Sequence, residues 1–348
     1  MKRLLAVTAI ALGSIVPGQA FAADTIVGID ALHEWNLIVL GDLTSSSEVE
    51  GRTFVGGDLK GNSSNYQTRT PPPSSRATPG LTVVGNVTGG TKNLNGGGAT
   101  VGGNVTSGFN LNGGPQTVNA GGAVANTNVN QNIVNSGLAS TPGFLDSLRA
   151  QRDALVQSLT ELSTSLSSLA SNAVANITGS RATFDAQPDA NGLTVYSLTA
   201  NDLSTFGEID FSRNGADTVI VNVSGSSIGL HDNFLGNSDN LGANVIWNFA
   251  EASDLQLSTA WRGSILAPNA NGTIGNYIQG SAVFGNLTQN GELHLGTYTG
   301  NYTPPTSPPP VAAVPEPSSW AMMLLGFGAL GSVIRRRRAA PRRRFAIA

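Results

Sequence analysis

A nine-residue run, TVVGNVTGG from Thr82 to Gly90, returns 18 residues later as TVGGNVTSG from Thr100 to Gly108, with seven of nine positions identical. A unit this short cannot enclose a core, so its apolar side has to be covered by the next copy. A looser copy starts at Thr117-Val118 and runs into Gly121-Gly122-Ala123-Val124. Earlier echoes are Leu40-Gly41-Asp42-Leu43 and Val55-Gly56-Gly57-Asp58-Leu59, and a late one is Val283-Phe284-Gly285-Asn286-Leu287. Short alternating runs parted by Gly and Asn predict a mainly β chain folded as a parallel β-solenoid (β-helix). Its coils would stack at the strand spacing of about 4.8 Å. Gly and Asn would occupy corners whose positive or restricted φ excludes β-branched residues, while Val87 and Val105 point inward. The interval from Asp58 to Asn86 exceeds one coil, and its excess, TRTPPPSSRATPG, reads as a loop extruded from the stack because proline cannot join a ladder. A β-sandwich with chance similarity between two hairpins is the alternative on the same residues.

One segment breaks the pattern. From about 142 to 176 the chain reads as one long α-helix, with Thr141 as N-cap and Pro142 at the first position, where a missing N–H is harmless. Leu148, Leu155, Leu162 and Leu169 recur every seven residues, flanked by Leu145, Leu159, Leu166 and Ala173. This stripe suits a helix packed along a solenoid's flank better than a coiled-coil seam. Arg152 interrupts the second ridge, and the opposite face is Ser and Thr without charge pairs. Strands resume at Leu193 to Leu198, Thr218 to Val223, Asn244 to Phe249, Ser264 to Ala267 and Ser281 to Leu287.

The 348 residues carry a formal charge of only −3, but nine of the 19 basic side chains sit at the two ends. The body from Ala23 to Pro310 is left with ten basic and 21 acidic residues, which excludes a duplex nucleic-acid partner. The absence of Cys removes disulfides, thiolate metal sites and thiol nucleophiles.

The two ends read as addresses. Residues 1–22, with Lys2 and Arg3, an apolar run from Leu4 to Val16, and Ala20-Phe21-Ala22, have the form of a secretory signal cleaved after Ala22 by signal peptidase once the Sec translocon has engaged it. Residues 301–314 are a Pro-rich linker. The apolar stretch from Trp320 to Ile334 would rise only about 22 Å as a helix, short of a hydrocarbon core. The arginines after it would stay cytoplasmic. Pro315-Glu316-Pro317, then Trp320-Ala321, the apolar run and Arg335, Arg336, Arg337 and Arg338 resemble a PEP-CTERM sorting signal over 315–338. Residues 339–348 form a basic tail beyond it. The resemblance implies processing by exosortase in a Gram-negative bacterium, through an inner-membrane intermediate with a transient membrane span. An ordinary tail anchor is the alternative.

Three stretches of the body, Asn36 to Leu59, Val245 to Ala270 and Ile278 to Gly300, resemble the choice-of-anchor A domain. The most specific pieces are Gly263 to Ala270 and Gly291-Glu292-Leu293-His294. Over 23–300 the resemblance implies a non-enzymatic surface or matrix protein, an adhesin or biofilm component without a cofactor, facing exopolysaccharide or another surface ligand. Two other chemistries compete. A carbohydrate-active β-helix enzyme would need paired carboxylates; Glu208 with Asp210, or Asp42 with Asp58, are the candidates, although the latter two fill the turn slot of Asn86 and Asn104. An ice-binding protein would need flat Thr columns, for which Thr82, Thr100 and Thr117, and Thr88 with Thr106, are the candidates. His33, His231 and His294 lack metal-ligand spacing. His231-Asp232-Asn233 with Asp239-Asn240 has the composition of a calcium loop but reads more simply as a solvated one. Sequons at Asn86, Asn104, Asn176, Asn222, Asn271 and Asn286 read as turn composition.

Overall fold

The computed structural model describes residues 25–303 except 75, 237 and 239. The signal residues Ala20 and Ala22 and the whole sorting segment from Pro315 to Arg338 lie outside the described residues. Among the described residues no helix is long and apolar enough to cross a membrane.

Eleven strands pair side by side along one path, all in parallel, and their order is not the chain's order. From one end of the path come Ile133–Asn135, Thr117–Ala120, Ala99–Val101, Leu81–Val83, Thr53–Val55 and Leu37–Val39. The path continues with Ala282–Gln289, Ser264–Ile274, Val245–Asn248, Thr218–Ser224 and Leu193–Thr199. The first described strand therefore lies in the middle of the solenoid, and the chain winds out from it to one end. After the helix it restarts at the other end and winds back until Leu37–Val39 pairs with Ala282–Phe284. The seam is continued on a second parallel sheet, where Val49 pairs with Leu293.

The two Val-rich copies lie in register as expected, Leu81–Val83 on Ala99–Val101 and Val87 on Val105, and both valines are fully buried. The third copy is shifted. Asn119, not Thr117, stands opposite Thr100, so this coil is two residues longer than the sequence alignment implied. Leu81 follows Thr53 directly in the stack, which leaves the Pro-rich stretch between them outside it. The repeating glycines owe their place chiefly to crowding. At Gly56, Gly102 and Gly121 φ is negative, but a Cβ would collide with the carbonyl oxygen of the coil below, that of Leu40, Val84 and Gly102 in turn. The coils that wind back are filled by aromatic rings, with Trp247 and Trp261 4.9 Å apart and Phe184, Phe211 and Phe234 around Trp247.

The long helix spans Phe144–Ser167, shorter at both ends than the sequence pattern implied. Gly143, at φ 80, is the N-cap residue instead of Thr141. At the other end Asn172 captures the first returning strand, with its N–H on the Val195 carbonyl and its Oδ1 accepting from the Val195 N–H, so residues past Ser168 are drawn out straight. Leu155, Leu159, Leu162 and Leu166 face the outward apolar side chains of the sheet, among them Phe54, Ile220, Ile246, Leu266 and Val283. The stripe is thus spent within the chain, each buried Leu contributing roughly 2 kcal/mol. A polar clasp fixes the helix's position. The Ser163 hydroxyl donates to Asn248 Oδ1 at 2.6 Å, Asn248 Nδ2 donates to Asn222 Oδ1 at 2.8 Å, and Asn222 Nδ2 donates to the Leu166 carbonyl at 2.7 Å.

Candidate functional site

Parallel stacking turns a residue type that recurs at one corner into a column. At the corner after each sheet strand, Asn286, Asp42, Asp58, Asn86 and Asn104 stand on successive coils. Each side chain accepts the backbone N–H of the next coil: Asp42 N–H on Asn286 Oδ1 (2.9 Å), Asp58 on Asp42 (2.8 Å), Asn86 on Asp58 (2.8 Å), Asn104 on Asn86 (2.9 Å) and Ala123 on Asn104 (2.9 Å). Asn271 extends the column on the other side, its Oδ1 accepting from Asn286 Nδ2 at 2.9 Å. These oxygens close hydrogen bonds that the corners would otherwise lose, which is the physical reason for Asn or Asp on these five coils.

Two residues on, across one inward side chain, a second column points outward on the same face. Thr273, Thr288, Thr44 and Lys60 are in register, and Thr88 and Thr106 follow Val87 and Val105 on the next coils. The columns together make a strip of paired amide or carboxylate and hydroxyl groups that crosses the seam without interruption. A shallow depression on it is lined by Asp42, Thr44, Asp254, Asn271, Thr273, Asn286 and Thr288. Among the described residues the cation of the two columns is Lys60, with Nζ 2.6 Å from Asp42 Oδ2 and 3.7 Å from Asp58 Oδ2. The hydrogen bond from Lys60, and after it the Asp58 N–H, hold the Asp42 carboxyl below its ordinary range.

The candidate carboxylate pairs are therefore engaged otherwise. Asp42 and Asp58 do lie on adjacent coils, as ladder acceptors, and an acid catalyst needs the opposite shift from the one Asp42 has. Glu208 and Asp210 share an outward strand face, with Glu208 3.1 Å from Arg181. Of the Thr columns, Thr82 and Thr100 pair while Thr117 does not join them; Thr88 and Thr106 belong to the longer column above. The histidines are far apart in role. His33 stacks on Tyr298 with centroids 5.5 Å apart, and His294 stacks on Tyr277 at 4.5 Å while its Nε2 meets Glu292 Oε2 at 2.7 Å. Asp232 is fully buried, which corrects its reading as a solvated loop residue. Asp239 lies outside the described residues. Sequence reasoning missed the strip, although the signal was present: four of the sequons read as turn composition, at Asn86, Asn104, Asn271 and Asn286, are its Asn-x-Thr rungs.

Residues 28–295 match the family described as "Putative Ice-binding-like adhesive domain", and residues 313–338 match the PEP-CTERM protein-sorting motif. That motif marks the chain for export to the cell surface or extracellular space and implies processing by exosortase. None of the curated proteins matches. Among solved structures, the crystal structure of a glycosylated ice-binding protein from an Arctic yeast is similar over 82% of this chain and 99% of its own, at 10% identity and a TM-score of 0.32. The fold described above is defined by strand register, not by that likeness.

Proposed function

Because the chain belongs to the ice-binding-like adhesive domain family, we propose that it is a non-enzymatic adhesin of a Gram-negative surface or biofilm matrix that grips exopolysaccharide along its Asx–Thr strip. The observation that carries this reading is the unbroken register of the two columns across the seam. Amides and hydroxyls each donate and accept, and here they are fixed on rigid strands at one repeat. A periodic polyhydroxylated chain would meet an amide or carboxylate beside a hydroxyl at each rung but that of Asp58 and Lys60, so weak contacts add without much ordering cost. Surface display is also what the choice-of-anchor A resemblance implies. We expect the full chain to co-sediment with polysaccharide secreted by its own cells. Thr44→Tyr with Thr288→Tyr, on neighbouring strands, should abolish this while leaving the thermal melt in place. Undiminished co-sedimentation would move the binding surface elsewhere.

The Thr column also favours ice as a second reading. The charged Asp42, Lys60 and Asp58 cluster in the middle of the strip speaks against it, because strongly hydrated charges disrupt an ordered water layer. Thermal hysteresis in the parent that the same double variant removes would replace the polysaccharide reading with ice.

Delivery in this proposal runs from the Sec translocon and signal peptidase to exosortase, with Arg335 to Arg338 holding the tail's end in the cytoplasm. Glu316→Ala should leave a slightly heavier, unprocessed band in the inner membrane. If mature protein from cells retains the peptide Phe345 to Ala348 by mass spectrometry and Glu316→Ala changes nothing, the tail is an ordinary anchor.

A further inference from the structure

The two ends of the solenoid are finished differently. At the end where the chain restarts, Asn176–Thr178 folds back antiparallel on Arg181–Asp185, and Arg181 and Glu208 form an ion pair beside it. At the other end the last strand, Ile133–Asn135, has a neighbour on one side only. The core stops there without a lid: Leu111, Val124 and Val134 are only half-buried, and Ile133 and Val129 are 58% and 45% exposed. The Asx column stops as well, at Ala123, which has no side-chain oxygen to pass on.

Open strand edges are ordinarily guarded by charge or proline. Between Lys92 and Asp146 the chain has no charged side chain at all. The terminal run Val129 to Asn135, VNQNIVN, combines β-branched residues with Asn and Gln and has no proline, the composition that favours edge-to-edge pairing. An end that is apolar at its centre and amide-rich along its edge strand, with no charge on the chain from Asn93 to Leu145, is complementary to a second copy of itself. Docking it on the opposite end would bury the Arg181–Glu208 pair against apolar surface.

We propose that this end is a self-docking face, through which two copies stack core to core about a two-fold axis. Such an interface closes on itself and gives a dimer, not a filament. The axis makes the two Ile133–Asn135 strands antiparallel, with Val134 opposite its own counterpart at the Cα separation of about 4.5–5.5 Å typical of antiparallel pairs, which a disulfide can span.

The natural chain has no Cys, so one introduced thiol reports directly. In the full chain, solubilised with its tail, Val134→Cys should form a disulfide-linked dimer under mild oxidation. Sedimentation should find the parent dimeric and Ile133→Lys monomeric, with an unchanged circular dichroism spectrum because Ile133 is exposed within the single chain. A monomeric parent overturns the proposal, as does a dimer that survives Ile133→Lys while Val134→Cys stays unlinked. A disulfide that forms only when Val134→Cys protein is mixed with Ile177→Cys protein also overturns it, in favour of head-to-tail stacking.

Discussion

Val105→Asp is expected to unfold the domain. Val105 is fully buried and sits in the inward column Leu59, Val87, Val105, Val124, held between coils on both sides. A carboxylate there loses its water and gains no partner, a cost of about 3–5 kcal/mol or more. That is comparable with the whole stability of an ordinary domain. The loss should not stay local, because each coil covers its neighbour's apolar side. Circular dichroism should show the β signal lost at room temperature, or a melting point tens of degrees lower. Thr106→Asp, one residue on and pointing outward, is the control and should melt near the parent. If Val105→Asp also melts like the parent, the inward assignment is wrong.

Local features were legible in the sequence because the repeat writes them next to one another. The nine-residue copies at 82–90 and 100–108 differ by one coil, so aligning them is the same act as stacking them. The alternation that puts Val87 and Val105 inward follows from strand geometry alone. The order of the coils was not legible in that way. Nothing local says that Leu37–Val39 should lie on Ala282–Phe284, some 245 residues away. The only trace was the kinship of Leu40-Gly41-Asp42-Leu43 with Val283-Phe284-Gly285-Asn286-Leu287, which the structure brings together as adjacent rungs, Leu43 on Leu287.

The strip was hidden for a related reason. Asn86 and Asn104 looked like turn residues and Thr88 and Thr106 like strand residues, and each reading was correct for one coil. Only coil order joins them to Asn271, Thr273, Asn286, Thr288, Asp42 and Thr44 into one surface. The helix limits failed on a different point. The seven-residue Leu period continues to Leu169, but Asn172 is claimed by the Val195 backbone, so tertiary hydrogen bonds end a helix that periodicity alone would prolong.

Asp232 carries the second large effect, and its sign is the reverse of ordinary acid behaviour. Its side chain is inaccessible, and neither carboxylate oxygen has a hydrogen-bond partner among the described residues. Burial pushes its pKa up to about 7, whereas the unfolded chain keeps the ordinary value near 3.9. Between those two values the folded state holds a proton that the unfolded state has released. Stability from this group is therefore fully present below pH 4 and is lost as pH rises through 7. Three pH units correspond to about 4 kcal/mol as an upper limit. Asp232→Asn removes the ionisation but leaves an amide that also lacks a partner, so a net gain of about 1–3 kcal/mol at pH 8 is expected. At pH 4, where Asp232 is already neutral, the variant and parent should melt alike. Other carboxylates also contribute to the pH dependence, Glu48 with its pKa raised by burial and then by Glu292, and Asp42, below this interval, with its pKa lowered by Lys60. The measurement is therefore the difference between variant and parent at each pH, in which those terms cancel. A variant that melts below the parent at pH 8, or a difference that does not shrink on acidification, would mean that the Asp232 carboxylate has a partner in solution and contributes stability as an anion.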